Sequence, residues 1–221
     1  MSFGTLYSYP GNPRAAKIQA VANLGGLTIT NGDFTMGQTN REQSFLSRFP
    51  LGKVPTFTSA SGLHLSESGA IATFIADSGS ARNQLLGSDA SERALIRQWI
   101  DIAEGELTTN AMTCLYPRFG FRKFDAAAEE FAIGAMERVL AVLEKHLTSG
   151  QGRQFVATDK LSLADITLVQ SLSWGFKLVL DQEVREKYPA VMEYFKRVLG
   201  SQGVKEAFGE VEFVEKRSAP Q

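Results

Sequence analysis

The sequence is poor in the residues that most often carry visible chemistry. It has one cysteine, Cys114, and two histidines, His64 and His146. A single thiol excludes an internal disulfide framework and a multi-cysteine zinc site, and it fits a reducing compartment. A His-rich metal centre or a Ser-His-Asp triad would have to use one of two histidines that have no partner pattern, so no metal is expected. Charge of one sign is also lacking. With 23 Lys and Arg against 24 Asp and Glu, the formal net charge is −1, which supplies no electrostatic footprint for nucleic acid or a membrane surface. No apolar run reaches the roughly 18 residues that a membrane span requires. The opening "MSFGTLYSYP" has neither a basic n-region nor an apolar h-region, so no signal peptide is expected, and the expected location is the cytoplasm. What is present is a core: 221 residues, 43% hydrophobic, with 15 phenylalanines and 21% charged residues. That composition argues against disorder and allows one large domain or two small ones.

The first third changes character quickly. "TLYSY" (5–9) is a short β-type run ended by the turn "PGNP". Asn12 followed by Pro13 suits an N-cap with proline at the first helical position. The helix would run to Leu24 and stop at Gly25-Gly26. "LTIT" (27–30) is a second strand, followed by a polar loop and a short helix, "QSFLSRF". "VPTF" and "LHL" form a hairpin across "TSASG", and "ESGAIATFIADS" (67–78) reads as a helix. The order βαβαββα implies a parallel pair with a crossover helix, extended by antiparallel strands. A Gly/Ser-rich linker is expected at 79–91. Beyond it, apolar residues recur at three- and four-residue spacing over 92–113 and 126–147, the mark of long amphipathic helices in an all-helical domain spanning 92–208. Within that domain "LSLADI" (161–166) carries a capping box, Ser162 with Asp165, and a staple, Leu161 with Ile166. Asp165 is therefore expected to be structural. Helices follow near 163–179, 189–200 and 203–208. The tail, 209–221, is expected to be polar and extended.

Two short stretches carry the functional argument. In "GKVPTF" (52–57), Pro55 has no N–H to give a sheet ladder. It is either an ordinary proline on an edge strand or a cis proline in a tight turn. The second alternative would free the Val54 N–H and C=O to pair with an extended peptide. Twelve residues on, "ESGA" (67–70) opens a helix. Ser68 with helix N-terminal N–H groups suits a carboxylate, and Glu67 suits an ammonium group. Together they fit the charged end of an amino acid or peptide; simple helix capping is the plainer alternative.

On these motifs the chain resembles a cytosolic glutathione transferase, with a thioredoxin-like N-terminal domain, "VP" before the hairpin, "ES" after it, and an all-helical second domain with an "LSLADI"-type cap. More narrowly, "GTLYSYPGNPRAAK", "GQTNREQSFL", "FPLGKVPTF", "ESGAIA", "QLLG" and "FGEVEFVEK" are similar to the N-terminal domain of translation elongation factor 1B gamma. The resemblance implies the glutathione transferase fold and reduced glutathione as co-substrate, with a small electrophile as the second substrate. Val54, preceding Pro55 in the cis form, would pair with the cysteinyl backbone. Glu67 and Ser68 would hold the γ-glutamyl end. Lys53 with Gln38 or Asn40 would meet the glycyl carboxylate. Tyr116, Arg118 and Phe119 could line the second-substrate pocket between the domains, or could simply pack the helical hairpin. The resemblance also implies a homodimer. If the chain is a scaffold rather than an enzyme, it implies elongation-factor subunits as partners.

The catalytic position departs from the better-known patterns. Tyrosine-type transferases place Tyr where this chain has Ser8, and serine-type enzymes place Ser where it has Asn12. The candidates to stabilise the thiolate are Ser8 and Asn12 as hydrogen-bond donors and Arg14 as a positive charge. Tyr7 is more plausible as a core residue, and Cys114 as a buried thiol.

Overall fold

The computed structural model describes residues 2–150, 152–217 and 219. The chain divides into two units, and their boundaries follow burial rather than sequence order. Residues 2–86 together with Gln202–Gly209 form the first; Gly87–Ser201 and the segment from Glu210 onward form the second.

In the first unit the expected βαβαββα order is observed. Strand β1 (Gly4–Tyr7) leads into helix α1 (Pro13–Leu24), which starts as its sequence dictates: the Asn12 side chain accepts the Arg14 N–H and Pro13 occupies N1. Strand β2 (Ile29–Asn31) follows, then a 3-10 turn (Thr39–Arg41) and a short helix α2 (Gln43–Leu46). The hairpin is β3 (Thr56–Ser59) and β4 (His64–Ser66), followed by α3 (Ser68–Ser78). The sheet order is β2-β1-β3-β4, parallel between β1 and β2 and antiparallel elsewhere.

Register assigns the two faces of this sheet. Leu6, Phe57 and Leu65 are paired across three strands and therefore share a face; the Phe57 ring meets Phe74 of α3 at a tilt, with ring centroids 6.4 Å apart. Tyr7 lies on the opposite face, where its ring meets Phe45 of α2 at 6.1 Å and Phe49 at 6.1 Å. Gly4 is obligatory, because a Cβ there would lie 2.2 Å from the Phe57 ring.

Strand lengths differ from expectation at the proline. The ladder of β3 begins at Thr56, so Val54 and Pro55 precede the strand, and the Val54–Pro55 bond is cis. The stretch expected as a linker contains helix α4 (Arg82–Leu86), and Leu85 is buried. A later helix, α11 (Val204–Phe208), packs on α1. Asn23 Nδ2 donates to the Gly203 carbonyl at 2.9 Å, and Gly203 takes φ 85 against Leu24. The expected helical domain of 92–208 therefore ends short of this segment, because residues 202–209 bury their apolar side chains in the first unit.

The second unit is helical. Helix α5 (Ala90–Ile102) is capped by Asp89, which accepts from Ser91 N at 2.8 Å and Glu92 N at 2.9 Å. A π-helical segment (Ala103–Thr108) joins it to α6 (Thr109–Arg118). Helix α7 (Ala126–Thr148) is capped by Asp125. Helix α8 (Leu163–Leu178) runs through the core, with Asp165 at its start. That carboxylate accepts from Val156 N (2.9 Å), Ser162 N (2.7 Å), Ser162 Oγ (2.8 Å) and the Tyr194 hydroxyl (2.8 Å). Burial raises its pKa, against the pull of these four donors. The structural reading of Asp165 thus has a full set of partners. Helices α9 (Gln182–Glu186) and α10 (Pro189–Leu199) complete the unit.

The tail does not run free. Val214 N donates to the Phe176 carbonyl at 2.9 Å and Gln182 N to the Glu215 carbonyl at 3.2 Å. Phe213 packs its ring 6.1 Å from Phe176 and 6.0 Å from Phe195, under the Arg185 guanidinium at 5.3 Å. A "polar" reading of "EVEFVEK" overlooks that one aromatic suffices to anchor it. Ser218, Pro220 and Gln221 of the expected tail lie outside the described residues.

No described helix is long and apolar enough to cross a membrane.

Candidate functional site

The candidate residues of the first unit converge because of strand register. Tyr7, Thr56 and Ser66 pair across β1, β3 and β4 as the last rungs at one end of the sheet. One residue beyond each rung stand Ser8, Pro55 and Glu67. The starts of α1 and α3 follow Ser8 and Glu67 within a few residues. Residues far apart in sequence are thereby brought to one end of a four-stranded sheet.

Val54 is the unpartnered piece of backbone at this end. Among the described residues, nothing in the chain hydrogen-bonds its N–H or C=O. A buried amide normally has a partner, and the unpartnered N–H and C=O of this half-buried residue leave one donor and one acceptor open. Gly52 sets up its approach. It takes φ 58, and a Cβ there would lie 2.9 Å from the Asn40 carbonyl. The Asn40 side chain braces the same turn: its Oδ1 accepts from Gly37 N at 2.6 Å and its Nδ2 donates to the Gly52 carbonyl at 2.9 Å. Asn40, expected to meet a carboxylate, holds the loop with both polar atoms, and these bonds use one of its two Nδ2 protons. Gln38 and Lys53 are exposed beside it.

Glu67 is the only described non-glycine residue with positive φ, at 67°. Such a conformation costs on the order of 1–3 kcal/mol and concentrates at ligand sites. Its side chain is exposed, while Ser68, the first residue of α3, is 6% exposed.

At the β1 end, Asn12 is 3% exposed and links two segments. Its Nδ2 donates to Ser8 Oγ at 3.0 Å, and its Oδ1 accepts from Arg14 N at 3.0 Å. Arg14 is half-buried in the first turn of α1. Tyr7, the weaker candidate, belongs to the α2 face, where Arg48 lies 5.4 Å from its ring centroid and reaches its hydroxyl at 3.4 Å.

The three residues proposed for a second substrate separate. Arg118 is 6% exposed and ion-paired to Glu129 through both terminal guanidinium nitrogens; Nη2 donates to Oε1 at 3.1 Å, and Nη1 also donates to the Cys114 carbonyl at 2.6 Å. It clamps α6 to α7 and is not available to line a pocket. Tyr116 is half-buried, with Arg122 lying 4.9 Å from its ring, and Phe119 is 50% exposed. Cys114 is fully buried beside the same ion pair; burial first, and the Glu129 carboxylate second, push its thiol up to about 11. No cluster of His, Cys, Asp or Glu among the described residues has the make-up of a metal site.

The sequence did not reveal Gly52 as a shaping residue or the Ser8–Asn12 bond. Gly before "KVP" was a readable signal; a bond formed by the curl of the 8–12 loop was not.

A mixed sheet of this order, with an unpartnered turn before a cis proline, an acidic residue of positive φ opening a helix, and a following helical unit, defines the class. The model of the glutathione S-transferase N-terminal domain matches residues 2–77 and that of the C-terminal domain matches residues 107–202. The chain belongs to the glutathione S-transferase family. It is 41% identical over 216 residues to the glutathione S-transferase-like protein FUS3 of Gibberella moniliformis, covering 98% of this chain and 97% of that one. It is also 41% identical over 220 residues to elongation factor 1-gamma of Carassius auratus, covering 98% of this chain but 48% of that protein. In fold it matches the GST-like domain of elongation factor 1-gamma from Saccharomyces cerevisiae, with a TM-score of 0.84, 24% identity and full coverage of both chains. It likewise matches the transferase URE2P6 of Phanerochaete chrysosporium, solved with oxidized glutathione, with a TM-score of 0.83, 20% identity, and coverage of 94% and 95%.

Proposed function

We propose that this protein is a glutathione transferase that binds reduced glutathione at the sheet end and promotes attack by its thiolate on a small hydrophobic electrophile or peroxide. The observation that carries this reading is the unpartnered Val54 backbone, set one residue from the row formed by Ser8, Pro55 and Glu67. Val54 pairs with the cysteinyl backbone, Glu67 and Ser68 hold the γ-glutamyl end, and Lys53 with Gln38 meets the glycyl carboxylate. Asn40 acts in this scheme by holding Gly52 and Lys53 in place.

A free thiol has a pKa of about 8.5, and each unit of depression requires roughly 1.4 kcal/mol of preference for the thiolate. A hydrogen bond to a charged group supplies about 1.5–3 kcal/mol, enough for one to two units. Ser8 or Asn12 supplies that bond, and the Arg14 charge adds to it. The sulfur then forms a bond to electrophilic carbon while the leaving group departs with its electron pair. With a peroxide, sulfur attacks oxygen, the O–O bond breaks and an alcohol leaves after protonation. The sulfenic acid left behind condenses with a second glutathione to give disulfide and water. Tyr116 and Phe119 remain candidates for aromatic contact with the electrophile.

Calorimetric titration of glutathione into the wild type and Glu67→Ala, paired with turnover of a chloronitrobenzene, tests the reading. Saturable binding, weakened at least tenfold by Glu67→Ala, and measurable turnover are expected. No binding by the wild type would end it. The similarity to elongation factor 1-gamma, a protein of about twice this length, favours a second reading: a scaffold module that docks elongation-factor subunits. Binding without turnover of any electrophile tried would favour that reading. A homodimer is expected in either case, and light scattering measures it.

A further inference from the structure

The hydrogen bonds around Asn12 have a direction, and the direction separates two residues that the reading above leaves equivalent. The Arg14 backbone N–H can only donate, so the Asn12 atom 3.0 Å from it is the carbonyl oxygen. The amide nitrogen therefore faces Ser8 Oγ, at 3.0 Å. An amide NH2 has no acceptor capacity, so Ser8 accepts this bond. A hydroxyl that accepts on one side keeps its single proton to donate elsewhere. Burial points the same way. Asn12 is 3% exposed, whereas Ser8 is half-buried and stands one residue past the last β1–β3 rung, as Pro55 does on the other strand.

We propose that Asn12 is a positioning residue that turns the Ser8 hydroxyl proton away from itself and toward the bound thiol, so that Ser8 alone donates to the thiolate. The inference rests on the glutathione-site reading. It predicts that exchanging one atom of Asn12 reverses its effect. In Asn12→Asp, one carboxylate oxygen still accepts the Arg14 N–H, and Asp is as good an N-cap as Asn, so α1 keeps its start. The other oxygen replaces the NH2 and accepts the Ser8 proton, taking it from the sulfur. A residue that serves only as a helix cap would tolerate this change.

The readout is the pKa of enzyme-bound glutathione, followed by the ultraviolet absorption of the thiolate as pH is raised, with circular dichroism as a check on folding. Ser8→Ala raises that pKa by about 1, and Asn12→Asp raises it by at least as much. The added charge of Asp also disfavours a thiolate, so Asn12→Asp is repeated in the Ser8→Ala background, where only the charge effect remains. Arg14, Lys53 and Glu67, the other charged groups assigned to this site, are common to all four proteins and cancel from the cycle. The proposal requires a clearly larger rise with Ser8 present. Equal rises in the two backgrounds, or an unchanged thiol pKa in Ser8→Ala, would overturn it while leaving glutathione binding intact. A wild type that fails to bind glutathione in the calorimeter removes the site reading itself, and this inference with it.

Discussion

At the scale of single residues, Glu67 and Cys114 show opposite uses of the local environment. Glu67 sits exposed at φ 67, a conformation that nothing in its side chain favours and that the junction between β4 and α3 imposes. Cys114 is a hidden group. Burial raises its thiol from the ordinary value of 9.0 to about 11. The folded state therefore holds this proton more tightly than the unfolded chain, and the stability involved is fully present below pH 9. It is lost as pH rises from 9 toward 11, by about 3 kcal/mol in all at 1.36 kcal/mol per unit. The buried Tyr194 hydroxyl, raised by burial and by Asp165, works in the same direction. Comparing the urea midpoints of wild type and Cys114→Ala across this range isolates the thiol: the wild type should lose stability more steeply. Parallel curves would show that the thiol does not titrate as described. The inert character of Cys114 was legible from its apolar neighbours. The engagement of Arg118 was not, because a lone arginine near a loop reads equally well as a ligand.

Elements are held by partners that local sequence does not reveal. Helix α10 begins after Tyr188, which supplies no side-chain cap. Its cap comes from α7 instead: Glu144 accepts from Ala190 N at 3.0 Å and Val191 N at 2.9 Å. Glu144→Ala should lower stability by about 1–2 kcal/mol with an unchanged denaturant slope. Glu144→Gln, which keeps one acceptor oxygen, should fall between. Equal stabilities for all three would remove the capping role. Periodicity made α7 readable along almost its whole length, and "NP" and "LSLAD" gave the starts of α1 and α8. The 3-10 turn at 39–41, α4 and α9 were too short for periodicity to register. Nothing in "AEGELT" distinguishes the π-helical turn from the α-helix on either side. The hairpin was found, but its first strand was expected to start at Val54. The ladder starts two residues later, and the two residues left out are part of the candidate site.

On the scale of the whole molecule, the tail contributes through Phe213, which is half-buried against Phe176 and Phe195. Both tryptophans, Trp99 and Trp174, belong to the helical unit, so tryptophan emission reports on that unit. Phe213→Ala should cost it about 2 kcal/mol, somewhat below the range for a fully buried Phe. The measurement is the emission midpoint in denaturant; a midpoint equal to that of the wild type would mean the tail stabilises nothing. Two units were legible from the switch between strand and helix patterns. The return of residues 202–209 to the first unit was not, because short apolar segments carry no mark of the surface they cover. That return makes residues 87–201 of the helical unit an insertion within the thioredoxin-like one, and the arrangement has a consequence in time. During synthesis, α11 emerges only after residues 87–201 have been made, which at roughly 5–20 residues per second takes on the order of ten seconds. The unit that carries the candidate glutathione site starts first yet waits for α11, and the α1 surface that α11 covers stays bare in the interval; the helical unit in turn waits for its own tail, from Glu210 onward.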